Sequence, residues 1–241
     1  MNASAMKKSS THFPAKAGHA PDISPVSSPS PAIVPLTAAD EEVAARLYTR
    51  VFLEDEPTSR RHALDASRFL PYARVYVRWL TVKDLSFLAK DPITGELLGF
   101  IFCFDFTDDP GRESPELQEF ILHFRQAVAM IEELESRHIC RETVVPGSVL
   151  HVFQIGVERK ARREGTARAM IRRALTRAGE RGFRQAVADC TSPGSQRVFE
   201  HCGFSLAGFS SYESFSMDGT SFFTGLEGGI SLVVMDLPAV L

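Results

Sequence analysis

The run Val157-Glu158-Arg159-Lys160-Ala161-Arg162-Arg163-Glu164-Gly165-Thr166-Ala167 decides how this chain is read. It follows an apolar stretch over residues 151–157. After it, Ala167, Met170, Ile171, Ala174, Leu175 and Ala178 form one helical stripe, while Arg168, Arg172, Arg173 and Arg177 take the other faces. The spacing predicts a strand, a tight turn and an amphipathic helix over 165–181. Such a turn aims the unpaired N–H groups of the first helical turn at one point, where the helix dipole also favours negative charge. Residue types there suit a pyrophosphate. Gly165 lets the backbone approach closely, Ala167 keeps the next turn clear, and five basic residues between Arg159 and Arg168 attract a polyanion. An arginine-rich, solvated start to a helix is the competing reading. A Gly-Lys-Ser/Thr loop and a three-glycine dinucleotide fingerprint are both missing.

Outward from this run, strand and helix alternate. Residues 185–190 read as a strand, 195–202 as a helix, and 205–215 and 230–237 as strands. Toward the N-terminus, Ile33, Val34 and Leu36 suggest a short strand. Thr37 with Asp40 then resembles a capping box that opens a helix through Val51. Leu64, Phe69, Leu70, Val75 and Trp79 carry a second helix over 63–80, which Pro71 is expected to break or kink. Strands over 85–89 and 97–106 are joined by the turn residues Asp91-Pro92-Ile93-Thr94-Gly95. After a polar loop over 108–113, Ser114-Pro115 caps one long helix to about residue 138, with Leu117, Phe120, Phe124, Val128, Ile131 and Leu134 at helical spacing. The series implies an α/β domain whose sheet mixes parallel and antiparallel strands.

Composition sets the outer limits. The chain has 241 residues, 44% hydrophobic and 24% charged, enough to bury a core. A net charge of −3 leaves no basic surplus, so nucleic acid is not an expected partner. The longest purely apolar stretch, over 97–104, is far short of the roughly 18–20 residues of a membrane helix, so no membrane partner is expected. Cys103, Cys140, Cys190 and Cys202 show no Cys-x-x-Cys spacing, which argues against a zinc site or other metal centre and against a disulfide framework. A reducing compartment, the cytoplasm, is the expected location. Residues 1–31 are rich in Ser, Pro and Ala and read as a disordered tail, with the folded domain over 32–241. The tail's Ser and Lys content also suits an organelle transit peptide, although no Arg-bearing amphipathic helix is present.

The six residues Arg162-Arg163-Glu164-Gly165-Thr166-Ala167 fit the pattern Arg/Gln-x-x-Gly-x-Gly/Ala. This resembles motif A of the GNAT family, the acetyl-CoA-dependent N-acyltransferases. Ser195-Gln196-Arg197-Val198-Phe199-Glu200-His201-Cys202-Gly203-Phe204 resembles the family's next helix, which normally ends in Gly-Phe. The resemblance implies the GNAT fold, a mixed central sheet of about seven strands with a splayed central pair, flanked by helices. It also implies acetyl-CoA as co-substrate. The pantetheine arm would lie on the main chain of Ile155, Gly156 and Val157, and the pyrophosphate on Arg162, Arg163, Glu164, Gly165, Thr166 and Ala167.

For the acceptor side, Phe52-Leu53-Glu54-Asp55-Glu56-Pro57 places three carboxylates in succession before a proline, a local anionic patch. A solvated acidic turn is the competing reading. The run resembles the Asp-Glu-Pro stretch of insect arylalkylamine and dopamine N-acetyltransferases, which implies that Glu56 is the general base. In the same subfamily two assisting hydroxyls match Thr191 and Ser195. The chemistry is consistent, because an amine with a pKa near about 10 arrives as an ammonium and must lose a proton before attacking a thioester. His151 is a second base candidate, at a strand position where vertebrate serotonin N-acetyltransferases also carry a histidine; a structural histidine is the simpler reading. Phe199 stands where many family members place a tyrosine acid, so Ser195, Cys202, Tyr212 or water would have to protonate the leaving thiolate. The expected activity is direct acetyl transfer to a primary amine, a small molecule of the arylalkylamine class. A polyamine, amino acid or protein terminus as acceptor stays open, as does a non-catalytic acyl-CoA sensor.

Overall fold

The computed structural model describes Met1 and residues 30–238; apart from Met1, Ser30 and Pro31, the tail expected over 1–31 lies outside the described residues. Seven strands form one sheet: β1 (Ala32–Pro35), β2 (Phe87–Lys90), β3 (Leu97–Asp105), β4 (Val149–Val157), β5 (Gln185–Cys190), β6 (Ser205–Ser211) and β7 (Gly229–Asp236). Their order is β1-β2-β3-β4-β5-β7-β6, with β4 and β5 parallel and every other neighbouring pair antiparallel. Strand β3 explains how the sheet becomes central. Phe100, Phe102 and Phe104 alternate with Ile101 and Cys103, and all five are buried, so both faces of the strand are covered.

On the Phe100 face lie α1 (Glu41–Asp55), α3 (Ala66–Thr81) and α5 (Pro115–His123); Ala44, Tyr48, Phe69, Val77 and Leu117 complete that core. The opposite face is covered by α7 (Thr166–Glu180) and α8 (Pro193–Glu200), through Met170, Ile171, Ala174 and Phe199. Helix α6 (Arg125–Ser136) seals a third cluster with Met130 and Leu134 against Val149, Val187 and Leu232.

Two helical expectations are corrected. Residues 57–62 form a separate short helix, α2 (Pro57–His62), while α3 starts at a new cap, Asp65, whose carboxylate accepts from the N–H groups of Ser67 and Arg68. Pro71 lies inside α3, at its sixth position, and the helix continues past it to Thr81 although proline supplies no donor for the bond back to Ser67. The single helix expected from Ser114 to about residue 138 is two. Backbone at Phe124 (φ −97°, ψ 17°) leaves the helical region and separates α5 from α6, and the loop before them holds a further turn, α4 (Pro110–Glu113). Apolar periodicity continues across the break, which is why spacing alone does not reveal it.

The central feature is the parting of β4 from β5. Their parallel pairing covers Val149–Val152 against Gln185–Ala188 and then stops, although β4 continues to Val157. A bulge explains the departure. Phe102 pairs with Gln154 and Cys103 with Val152, leaving Phe153 as an extra residue in β4. Such an insertion bends the strand and increases its twist. Beyond it, β4 pairs with β3 alone, so alternate main-chain groups of residues 153–157 face an open gap.

Candidate active site

The gap opens into a cavity of about 840 Å³. Ile155, Gly156, Val157, Arg162, Arg163, Gly165, Thr166 and Ala167 line it, as do Glu56, Thr191 and Ser195. Glu164 and His151 are not among its lining residues. Sequence-distant groups are thus brought to one space, the Gly165 turn and Glu56 together with the aromatic rings of Phe52, Phe120 and Phe124.

The turn is built by two left-handed residues, Arg163 (φ +67°) and Gly165 (φ +82°). Gly165 caps α7 and offers no side chain to its first N–H groups, which are left for another partner. The loop is fixed from below. Thr166 Oγ1 donates to the Ala161 carbonyl at 3.1 Å, and Arg162 Nε donates to the Val157 carbonyl at 2.9 Å. These unpaired donors, with Arg162 and Arg163 beside them, fit the phosphate groups of a coenzyme A thioester. Gly156 is required for packing within the protein itself. A Cβ there would meet Phe100 Cε1 at 2.5 Å and Val51 Cγ1 at 2.9 Å, so the strand is bare where the wall is tightest. Gly156→Ala is therefore expected to destabilise the fold by about 1–3 kcal/mol, the range for overpacking. Thermal denaturation should show Tm lower by several degrees; an unchanged Tm contradicts the packing argument.

The acidic run 54–56 is not a free patch. Asp55 pairs with Arg159 at 2.8 Å and also with Arg162, and Glu54 lies 3.5 Å from Arg159. Burial works against the Asp55 carboxylate, but the two guanidiniums prevail and hold its pKa below the usual range. The pairs tie the end of α1 to the phosphate-type turn. Glu56 has a different environment: it caps α2, its Oε2 accepting from Thr58 Oγ1 (2.7 Å), Ser59 N (2.5 Å) and Ser59 Oγ (2.6 Å). Oε1 accepts from Thr58 N alone, at 3.0 Å, and keeps a lone-pair direction for a further donor.

Ser195 and Ser192 cap α8 reciprocally, and Ser195 Oγ donates to the Ser192 carbonyl at 2.9 Å. Thr191 sits one residue before that cap, its carbonyl accepting from Tyr212 Oη at 2.9 Å. Phe199 is buried against Phe204 and lines the cavity without a hydroxyl. Burial pushes the Cys202 thiol up despite Arg172 and Arg168, which disfavours a thiolate nucleophile there.

His151 is buried and does not line the cavity. Its Nε2 lies 2.8 Å from Asp189 Oδ2 and 3.6 Å from Glu135 Oε1. Asp189 lines the cavity and belongs to the site that the sequence reading missed; one acid in the apolar run Ala186-Val187-Ala188-Asp189-Cys190 was the available signal. Glu135 was missed too, though it continues the helical stripe of Val128 and Ile131.

Helix α2 is braced by histidine. The His62 ring contacts Phe124 and Phe222 at 4.8 and 4.7 Å and faces His123 at 6.1 Å. Burial, with His123 second, lowers its pKa to about 4. An unfolded histidine takes up its proton near pH 6.5, so between there and pH 4 the unfolded chain binds more protons and stability falls with falling pH. His62→Gln should flatten the Tm loss across that window in calorimetry; an equal slope removes His62 as the cause.

A mixed sheet parted at its parallel pair, with an uncapped helix start at the mouth of the gap, defines an acyltransferase. The chain belongs to the acetyltransferase (GNAT) family, whose model matches residues 45–204. Among solved structures, the fold is similar to a putative arylalkylamine N-acetyltransferase 7 from the mosquito Aedes aegypti (17% identity, 86% of this chain and 87% of that one, TM-score 0.70). It is also similar to the Drosophila melanogaster polyamine N-acetyltransferase that forms N-acetylagmatine (17%, 86% and 100%, TM-score 0.66). A third is a phosphinothricin acetyltransferase from Sinorhizobium meliloti in complex with AcCoA (16%, 86% and 89%, TM-score 0.54). No curated protein matches the chain. Among the described residues no helix is long and apolar enough to cross a membrane.

Proposed function

We propose that this protein transfers an acetyl group from acetyl-CoA directly to a primary amine, with an arylalkylamine as the preferred acceptor. The observation that carries this reading is the shared cavity. Its turn suits the pyrophosphate, the main chain of residues 155–157 suits the pantetheine, and Glu56 shares the lining with Phe52, Phe120 and Phe124. The Sinorhizobium relative with bound AcCoA supports the donor, and the Aedes relative supports the acceptor class.

In the mechanism that follows, Glu56 Oε1 accepts the ammonium proton, directly or through water. The freed nitrogen lone pair attacks the thioester carbonyl, whose oxygen is polarised by main-chain N–H groups of β4. The C–S bond breaks and coenzyme A leaves as a thiol, Ser195, Thr191, Tyr212 or water supplying its proton. Lining favours an aromatic acceptor over a polyamine. Of the cavity's carboxylates, Asp55 is engaged by two arginines and Asp189 by His151, so a second ammonium would lack a free anion. The Drosophila relative nevertheless keeps polyamines in the test.

That test is mass-detected acetyl transfer to arylalkylamines, polyamines, amino acids and peptides. Product confined to arylalkylamines is expected, whereas product confined to polyamines or peptides overturns the acceptor class. The apolar Phe199 at the cavity wall favours one other reading, an acyl-CoA sensor. Tight acetyl-CoA binding with no product from any amine would support it.

A further inference from the structure

Helix α2 carries Glu56 at its N-cap but is only six residues long, Pro57–His62. A helix that short does not hold itself in water and takes its position from what packs on it. Thr58 and Ser59, at its start, are 4% and 1% exposed. Its last two residues are gripped by a contact between positions 161 residues apart in sequence. Arg61 Nε donates to the Phe222 carbonyl at 2.8 Å, and the Arg61 guanidinium lies 5.9 Å from the centre of the Phe222 ring. The His62 ring meets Phe222 at 4.7 Å and Phe124 at 4.8 Å. Aromatic contact stands in for hydrogen bonding there, because His62 Nε2 is buried and has no partner among the described residues. Water competes for that nitrogen wherever the rings give way, so contact with Phe222 keeps the imidazole in place.

Phe222 belongs to the loop over residues 212–228 that joins β6 to β7, and the loop is itself anchored. Phe223 is fully buried against Tyr212 and Phe215, at ring separations of 5.4 and 5.9 Å, and Tyr212 Oη donates to the Thr191 carbonyl at 2.9 Å. Phe222 is half-buried and is not among the residues that line the cavity. We propose that Phe222 is a positioning residue, which sets where the Glu56 carboxylate stands in the cavity by clamping the opposite end of α2. The inference rests on the acetyltransferase reading with Glu56 as the base, and on that reading Phe222 touches neither donor nor acceptor.

The geometry makes the base sensitive to this clamp. All the donors to the Glu56 carboxylate belong to Thr58 and Ser59, so the carboxylate travels with the helix and is not held independently of it. Six helical residues span about 9 Å, and a tilt of about 10° about the last turn displaces the cap by roughly 1.5 Å. Proton transfer needs heavy atoms about 2.6–3.2 Å apart. A misplacement of about 1 Å caused by a change far from the chemistry lowers a rate by on the order of 100-fold.

The test is Phe222→Ala in the full-length chain, alone and combined with Glu56→Gln. Alone, it should keep acetyl-CoA affinity within about twofold and lower kcat about 10- to 100-fold, while Phe222→Tyr, which retains the ring, stays near the wild-type rate. A wild-type kcat in Phe222→Ala overturns the proposal. The combination separates position from general weakening. With no base left to misplace, Phe222→Ala should change the Glu56→Gln rate by less than about twofold; the full loss in both backgrounds overturns the proposal, because independent effects multiply. Phe222→Leu, which keeps apolar volume, takes the place of Ala if that variant does not fold, with the same pattern and a loss of about 10-fold. Amide hydrogen exchange read by NMR needs no turnover. The amides of Arg60 and Ala63, which donate to the Glu56 and Ser59 carbonyls, should exchange at least about 10-fold faster without the Phe222 ring, and unchanged exchange overturns the clamp. Faster exchange without acetylation of any amine would defeat the acetyltransferase reading alone, and acetylation with unchanged exchange would defeat the clamp alone.

Discussion

Gly165→Val is expected to reduce acetyl-CoA affinity at least about 100-fold, since two lost hydrogen bonds to a charged phosphate are worth roughly 3–6 kcal/mol together. The reason is conformation, not volume. A Cβ on Gly165 would meet nothing closer than Arg168 Nη2 at 3.7 Å, an ordinary contact. At φ +82°, however, a β-branched residue is a strong outlier, and left-handed backbone costs an L-residue about 1–2 kcal/mol even without branching. The chain would relax by turning the peptide, which re-aims the N–H groups at the start of α7. Isothermal titration with acetyl-CoA reads the effect. Gly165→Asn, which tolerates left-handed backbone, should retain most of the affinity, and equal loss in both variants would contradict the conformational account.

The second large effect is on turnover. Glu56→Gln should lower kcat by about 100- to 10,000-fold, the range for a lost general base, while acetyl-CoA affinity stays within about twofold. Gln is the informative replacement because Glu56 is also a cap. Glu56→Ala removes acceptors from Thr58 and Ser59 and costs about 1 kcal/mol of stability besides its chemistry. Gln keeps one carbonyl oxygen for those donors. Pre-steady-state acetyl transfer with an arylalkylamine separates the chemical step from release, and an unchanged single-turnover rate would remove Glu56 from the base role.

Local signals were legible where one residue decided the backbone. Gly165 announced a turn, the series after it announced an α/β sheet, and Thr37 with Asp40 announced a cap that the structure contains. Long-range facts left weaker marks. Nothing in the Asp55 side chain says that Arg159 and Arg162 will hold it, because those partners lie more than a hundred residues away. The bulge at Phe153 was invisible for a related reason: it exists only relative to β3, and apolar residues continue through it without a change of pattern. Asp189 is a single acid in an apolar run and Glu135 one of three acids at the end of an amphipathic helix, so neither stands out by sequence, although acids at core-facing positions are uncommon unless paired. His151 is a base candidate only through its resemblance to a family histidine; the structure buries it outside the cavity lining, hydrogen-bonded to Asp189.

The parted strands have an evolutionary consequence. On the proposed reading the donor is held largely by backbone, from β4 and the turn before α7, whereas the acceptor wall is made of side chains from α1, α5 and α6, encoded before residue 137. Selection can therefore rewrite one stretch of the gene and leave the other's task intact. Much as an instrument changes its tip while keeping its handle, chimeras that exchange residues 41–136 should inherit the acceptor of the parent that supplied them.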